Sequence, residues 1–353
     1  MATRVAINGF GRVGRAAFRS AHDRGLDVEF VAINDLAPSD QLEYLLRHDS
    51  VYGRFDAEIE RDADVLAVDG HELAILHEPD PIRLPWSELE VDVVLECTGR
   101  FRTREDAAKH LLAGAGKVVV SAPMKDPDVT VVLGVNFDEA YNPGRHDVIS
   151  NASCTTNCLA PVAKVLHENL GIRHGLMTTI HAYTGDQRLV DLPHKDLRRA
   201  RAAGINLIPT TTGAAKAIGL VIPELAGKLH GFAVRAPVPT GSLVDLTIEA
   251  NRETSADELN TLFHRHSEVG PLEGILAYSD EALVSSDIVG SPYSAVFDAP
   301  LTTVVDGTQV KVVAWYDNEW GYSNRLAELA AKVAVGPERL VGVTMRTGEV
   351  VLA

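Results

Sequence analysis

Cysteine is scarce in this chain of 353 residues, which holds three: Cys97, Cys154 and Cys158. Three cannot build a disulfide framework, and they fit a reducing compartment in which a free thiol serves packing or catalysis. Positive charge is also short. Against 49 Asp and Glu stand 33 Lys and Arg, a formal charge of −16. That balance argues against a general affinity for nucleic acid or an anionic membrane. It also requires an anionic substrate to be met by a local cluster of arginines. Apolar runs stop well short of a membrane span. Met1-Ala2-Thr3-Arg4-Val5 leads straight into a strand pattern without a signal or transit sequence, so the expected location is the cytoplasm. Internal repeats and low-complexity segments are missing as well. What remains is ordinary: 46% hydrophobic and 23% charged residues, in a chain long enough for two domains.

The first half alternates short β-branched runs with amphipathic segments. Residues 5–8, 30–34, 91–97, 118–121 and 129–135 read as strands, and 12–24 and 104–114 as helices. That alternation predicts a parallel sheet covered by helices on both faces. After Cys158 the texture changes. Period-two runs at 176–183, 232–235, 242–250 and 309–316 predict a mixed or antiparallel sheet, with helices near 213–222 and 255–267. The expected fold class is therefore α/β followed by α+β. A further amphipathic helix is expected at 323–335.

Gly9-Phe10-Gly11-Arg12-Val13-Gly14 follows the first strand directly and opens a helix. The string alone is weak, but here it has the strand, the helix and a second strand ending in Asn34-Asp35. Gly9 suits a tight turn, Gly11 a close approach of pyrophosphate, and Gly14 close helix–strand packing. A diphosphate then rests at the helix start near Arg12 and Val13, and the Asp35 carboxylate faces the ribose hydroxyls. A 2′-phosphate would meet like charge there, so a Rossmann-like NAD site is expected in preference to NADP. The bland alternative is a glycine turn that binds nothing. Thr98-Gly99-Arg100-Phe101 and Ser121-Ala122-Pro123 follow later strands, where either ligand contact or plain turn chemistry accounts for them. Cys97 reads as packing.

Cys154 sits where a strand-like run ends and a helix pattern begins. Unpaired N–H groups at a helix start favour a thiolate and so a nucleophile. His181, at the end of a later strand, is a candidate proton partner, although a lone histidine is more often a satisfied core or surface residue. His264 and His266 have no third ligand nearby, and no metal is expected.

Five motifs then occur in order: Asn8-Gly9-Phe10-Gly11-Arg12-Val13-Gly14-Arg15, Ser153-Cys154-Thr155-Thr156-Asn157-Cys158, His181-Ala182-Tyr183-Thr184, Pro209-Thr210-Thr211-Thr212-Gly213-Ala214-Ala215-Lys216, and Trp315-Tyr316-Asp317-Asn318-Glu319-Trp320-Gly321-Tyr322-Ser323. Together they closely resemble the phosphorylating glyceraldehyde-3-phosphate dehydrogenases, from about Thr3 to Val335. The resemblance implies that Cys154 attacks an aldehyde and His181 takes the proton. A thioester follows hydride transfer to NAD, and inorganic phosphate cleaves it. It implies Thr184, Arg199 and Arg235 near the phosphate of a sugar phosphate. Ser153, Thr155, Thr212 and Gly213 would receive inorganic phosphate. Asn318 would hold the nicotinamide carboxamide, and Thr98 and Ser121 would line the cofactor groove. It further implies an NAD-binding domain at 1–153, a catalytic domain at 154–317 and a helix at 318–336 returning to the first domain. A homotetramer is implied too, with the charged and apolar loop 185–201 along a subunit contact. Cys158 becomes a packing neighbour of Cys154, one turn on.

Three features depart from the family pattern. Glu78-Pro79-Asp80-Pro81 lacks an arginine common near Pro79 in relatives, Ala236-Pro237-Val238-Pro239-Thr240-Gly241-Ser242 is an uncommon loop, and 337–353 is an extension that forms a hairpin or a frayed tail. The competing readings are an erythrose-4-phosphate dehydrogenase on the same scaffold and a catalytically idle NAD-binding scaffold protein.

Overall fold

The computed structural model describes residues 2–333, so the expected tail at 337–353 lies outside the described residues, as does the end of the expected 318–336 segment. The chain divides into two compact units. One comprises Met1–Val131, Glu139–Asn151 and, among the described residues, 323–333; the other comprises Val132–Asp138 and Ala152–Tyr322.

The first unit is built on nine strands in the order Val129–Thr130, Val148–Ser150, Lys117–Val120, Val93–Glu96, Thr3–Asn8, Val28–Asn34, His71–Leu76, Val65–Val68 and Ile59–Asp62. Val93, Val94 and Leu95 are all fully buried. Successive strand residues point to opposite faces, so both faces of the sheet are covered, which is why these strands read as unbroken apolar runs. The sheet is parallel from Val129–Thr130 to His71–Leu76, as the alternation predicts, and antiparallel at the other edge. There Asp69 and Gly70 both take positive φ, at 48° and 78°. An Asp-Gly pair of that kind closes a two-residue hairpin, and no crossover helix is needed.

Two further expectations are corrected. The strand predicted at 129–135 pairs only over Val129–Thr130. Beyond it Gly134 turns the chain at φ 75°, and a Cβ there would lie 2.5 Å from the Pro271 carbonyl oxygen. Its apolar residues are buried without a ladder. The helix predicted at 104–114 is divided into Arg104–Ala107 and Lys109–Leu112, tightened at Ala108, whose carbonyl accepts from Leu111 N–H at 3.0 Å. A helix at Ser39–Arg47, not expected from periodicity, follows the second strand.

The second unit carries a mixed sheet in the order Ile208–Thr211, Leu229–Ala236, Ile172–Ala182, Ser242–Ala250, Gln309–Tyr316, Ala295–Asp298 and Leu276–Ser279, with Thr303–Val305 beside Gln309–Tyr316. Ile172–Ala182 runs parallel to Leu229–Ala236 and antiparallel to Ser242–Ala250. Ser242–Ala250 alternates strictly between buried and half-buried residues, the mark of a sheet with one face on the core. The helix Cys154–Leu170 packs on the central strands together with Ala214–Val221 and Ala256–Glu268. Phe263 of the last helix stacks on Phe297 with ring centroids 3.8 Å apart. Trp320–Val333 forms the expected late helix, starting three residues earlier than its periodicity suggests.

Candidate active site

In the first unit the glycine turn leaves the strand Thr3–Asn8 and enters the helix Arg12–Asp23. Gly9 takes φ 93°, and a Cβ on it would sit 2.6 Å from Thr98 N. A Cβ on Gly14 would lie 2.4 Å from the Gly9 carbonyl oxygen and 3.1 Å from Ile7 Cγ2. Neither position tolerates a side chain. A Cβ on Gly11 meets nothing within 4 Å. This is the pattern a bound diphosphate needs: a tight turn, an open helix start and unobstructed N–H groups. A cavity of about 250 Å³ adjoins the turn, lined by Gly9, Gly11, Asp35, Leu36, Glu78, Pro79 and Thr98 among others. Its residues fit the adenosine side of a dinucleotide. Asp35 has a further duty, since its carboxylate accepts the N–H groups of Phe10 at 2.8 Å and Ala37 at 3.0 Å. Arg12 turns its guanidinium to Asp49 at 2.9 Å, while the Val13 carbonyl accepts from Ser323. Ser121 follows the strand Lys117–Val120, its N–H bonded to the Glu96 carbonyl oxygen. Glu78 pairs with Arg83 at 2.9 Å. Burial pushes the Cys97 thiol up to about 12, as suits an inert packing residue.

The second unit holds the nucleophile. Ser153 caps the helix Cys154–Leu170, its Oγ accepting the Thr156 N–H at 3.1 Å. Just before it, buried Ala152 takes φ 54°, a left-handed conformation that costs a non-glycine residue about 1–3 kcal/mol. The strain turns the chain sharply at the helix start. There Cys154 Sγ lies 3.4 Å from His181 Nε2.

The histidine tautomer follows from its other contact. His181 Nδ1 is 2.7 Å from the Ala182 carbonyl oxygen, which can only accept, and 3.1 Å from Arg235 Nη1, which can only donate; the shorter contact favours the proton on Nδ1, with Nε2 facing the thiol as an acceptor. Burial, followed by the Arg235 cation, lowers the imidazole pKa to about 3. Burial also raises the Cys154 thiol, outweighing the opposing pull of Arg235 and of the helix N–H groups. At Cys154, then, desolvation opposes the helix-end effect that the sequence suggests. Cys158 is buried with its thiol raised well above the usual value, its Sγ 3.8 Å from the Ala314 carbonyl oxygen.

Around this pair the structure gathers several of the predicted residues. Register places Arg235 opposite His181 on the neighbouring strand, and its Nη1 donates to Thr184 Oγ1 at 3.0 Å and to the Ala182 carbonyl oxygen at 3.1 Å. Arg199 donates to Thr210 Oγ1 at 3.0 Å and pairs with Asp186 at 2.5 Å, while Thr184 donates to the same Asp186 carboxylate. Thr184, Arg199 and Arg235 thus form one connected cluster. Thr155 Oγ1 lies 2.9 Å from Tyr316 Oη, which is also 2.9 Å from Thr179 Oγ1. Thr212 Oγ1 accepts the Ala214 N–H at 3.2 Å, and with Gly213 it starts the helix Ala214–Val221, one strand over from Arg235. Asn318 Oδ1 accepts from Ser242 Oγ at 2.8 Å, and Ser242 Oγ accepts the Ala182 N–H at 3.0 Å. Asp186, Tyr316 and Ser242 went unnoticed as functional residues in the sequence, where they lie inside longer runs. Among the described residues no group of three His, Cys, Asp or Glu is arranged to hold a metal ion, and no helix is long and apolar enough to cross a membrane.

A nucleotide-binding α/β unit joined to a unit with a thiol–imidazole pair and an arginine cluster defines a cysteine-dependent dehydrogenase. Comparison with known proteins narrows the class. Residues 3–104 match the family model described as glyceraldehyde 3-phosphate dehydrogenase, NAD binding domain, and residues 153–318 match the C-terminal domain of the same family. Glyceraldehyde-3-phosphate dehydrogenase of Geobacillus stearothermophilus is 58% identical over 334 residues, covering 95% of this chain and 99% of the relative. Glyceraldehyde-3-phosphate dehydrogenase 2 of Streptomyces avermitilis and the Streptomyces coelicolor enzyme are each 56% identical over 333 residues, covering 94% of this chain and 99% of either relative. The chain belongs to the glyceraldehyde-3-phosphate dehydrogenase family.

Arg235 favours a thiolate at Cys154 and disfavours an imidazolium at His181. Replacing it in Arg235→Gln is expected to move the pH midpoint of Cys154 alkylation upward in the ligand-free protein. A downward shift would show that the cation does not act on the thiol.

Proposed function

We propose that this protein oxidises glyceraldehyde 3-phosphate with NAD and inorganic phosphate to 1,3-bisphosphoglycerate. The observation that carries the reading is the 3.4 Å contact between Cys154 Sγ and a bare His181 Nε2, beside the Thr184–Arg199–Arg235 cluster. His181 Nε2 takes the thiol proton as Sγ bonds to the aldehyde carbon, and the Cys154 N–H with the imidazolium steadies the oxyanion that develops. A substrate phosphate beside Arg235 offsets the cation that lowers His181, which raises the imidazole toward its ordinary range just when it must hold a proton.

NAD, when bound, supplies the acceptor for the hydride that the substrate carbon gives up. Its diphosphate would lie at Gly9, Gly11, Arg12, Val13 and Gly14, its ribose at Asp35, with Thr98 and Ser121 along the groove and Asn318 at the carboxamide. The His181 imidazolium first returns its proton to the oxyanion, giving the thiohemiacetal hydroxyl; as the hydride departs His181 takes that hydroxyl proton back, leaving an acyl group on Sγ. Inorganic phosphate, held by Ser153, Thr155, Thr212 and Gly213, attacks that carbonyl. Cys154 leaves as a thiolate and is reprotonated by His181. Sulfur serves because it is both a strong nucleophile and a competent leaving group.

The names of the relatives favour this substrate over erythrose 4-phosphate, and the intact thiol, base and arginines argue against an idle scaffold. Asp35 and Glu78 both line the nucleotide cavity, which supports NAD over NADP. A homotetramer is supported by the loop 185–201 and its continuation, where Leu189 is 86% exposed and Leu197 and Ile205 are each 82% exposed. Cytoplasmic location agrees with the free thiols.

Rates with glyceraldehyde 3-phosphate and erythrose 4-phosphate, with and without inorganic phosphate, are expected to show phosphate-dependent oxidation of the three-carbon aldehyde. Equal turnover without phosphate would overturn the reading. Cys154→Ser is expected to lose activity by at least about 10³-fold while still binding NAD, and retained activity would exclude the thioester route. Light scattering is expected to give a mass of four chains; a monomer at micromolar concentration would contradict the assembly.

A further inference from the structure

Beneath the nucleotide cavity lies a carboxylate with no cation beside it. Glu96 and His110 are both fully buried, and among the described residues no lysine or arginine pairs with Glu96. Glu96 Oε2 accepts from Asn8 Nδ2 at 2.6 Å and lies 3.2 Å from His110 Nε2. Glu96 Oε1 accepts the Thr98 N–H at 2.8 Å and the Thr98 hydroxyl as well. The ring of His110 is settled by a residue further in. Trp86 Nε1–H, which can only donate, points at His110 Nδ1 from 2.9 Å. Nδ1 is therefore bare, Nε2 carries the ring proton and donates to Glu96, and a second proton on Nδ1 would collide with the indole N–H. With that tautomer the Glu96 carboxylate meets four donors: an amide, an imidazole N–H, a peptide N–H and a hydroxyl.

Those donors are the frame of the cavity. The peptide joining Cys97 to Thr98 is the one on which Gly9 rests, since a Cβ on Gly9 would meet Thr98 N at 2.6 Å and the Cys97 carbonyl carbon at 2.8 Å. On the other side Asn8 Oδ1 accepts from Asn34 Nδ2 at 2.7 Å. Asn34 in turn pairs with the Glu78 backbone, accepting its N–H and donating to its carbonyl, both at 2.9 Å. Glu78 and Pro79 line the same cavity as Gly9 and Thr98. We propose that Glu96 is the positioning residue of the nucleotide site. Its charge holds the Thr98 peptide where the Gly9 turn needs it and, through Asn8 and Asn34, holds the Glu78–Pro79 wall. A buried anion suits this role because its several donors are ordered around one point, and loss of the charge leaves at least one of them unmatched.

The inference rests on NAD occupying this cavity, and calorimetric titration of NAD into the full-length protein tests the two separately. Glu96→Gln keeps the shape and removes the charge. It is expected to weaken NAD binding about tenfold, while the rate of Cys154 alkylation without NAD stays at the wild-type value, which a general loss of fold would not allow. Wild-type affinity in Glu96→Gln would overturn the assignment. A wild-type protein that takes up no NAD would overturn both this inference and the cofactor reading. Should Glu96→Gln fail to fold, Trp86→Phe removes the N–H that sets the His110 tautomer and keeps an aromatic ring. About threefold weaker NAD binding there supports the role, and unchanged binding overturns it.

Discussion

The chemistry of the catalytic unit depends on one peptide group. The Ala182 carbonyl takes the Nδ1 proton of His181, and that single hydrogen bond leaves Nε2 as the acceptor facing Cys154. Were the ring in its other tautomer, the nitrogen beside the thiol would carry a proton and could not take another. The N–H of the same residue goes to Ser242, whose hydroxyl reaches Asn318. Ala182, the last residue of the strand Ile172–Ala182, therefore links the base, held by its carbonyl, to the residue proposed to hold the nicotinamide, reached through its N–H. A strand is a sound place for such a link, since its ladder resists rotation of the peptide plane.

Burial sets the balance of charge throughout. It lowers His181 and raises Cys154, against the opposing pull of Arg235 and the helix N–H groups on the thiol. Burial also marks the nucleotide unit, where several donors converge on the fully buried Glu96 carboxylate. In both units the strained or costly feature, Ala152 in one and the fully buried Glu96 carboxylate in the other, stands next to the proposed site.

Much of this was legible in the chain. Gly9 and Gly14 announce themselves because backbone atoms approach to within 2.6 Å or less of where a Cβ would be. Ser153 marks a helix start through ordinary capping chemistry. The alternation of Ser242–Ala250 is a plain record of a half-covered sheet. Other features depend on partners far away in the chain. Tyr316 acts through Thr155 and Thr179, Asp186 through Arg199, and Glu96 through Asn8 and His110. No local pattern reports such contacts. At Cys154 the helix end is visible locally, whereas the burial that opposes it is not. The Asp69-Gly70 hairpin is different, because an Asp-Gly pair is itself a local turn signal in the sequence.

The account stands or falls on an acyl group borne by Cys154. Intact-protein and peptide mass spectrometry after mixing the enzyme with NAD and glyceraldehyde 3-phosphate, without inorganic phosphate, tests it directly. The account predicts one 3-phosphoglyceroyl adduct per chain, located on the peptide containing Cys154 and discharged on addition of phosphate. An adduct on another residue, or oxidised product formed with no adduct at all, would contradict it.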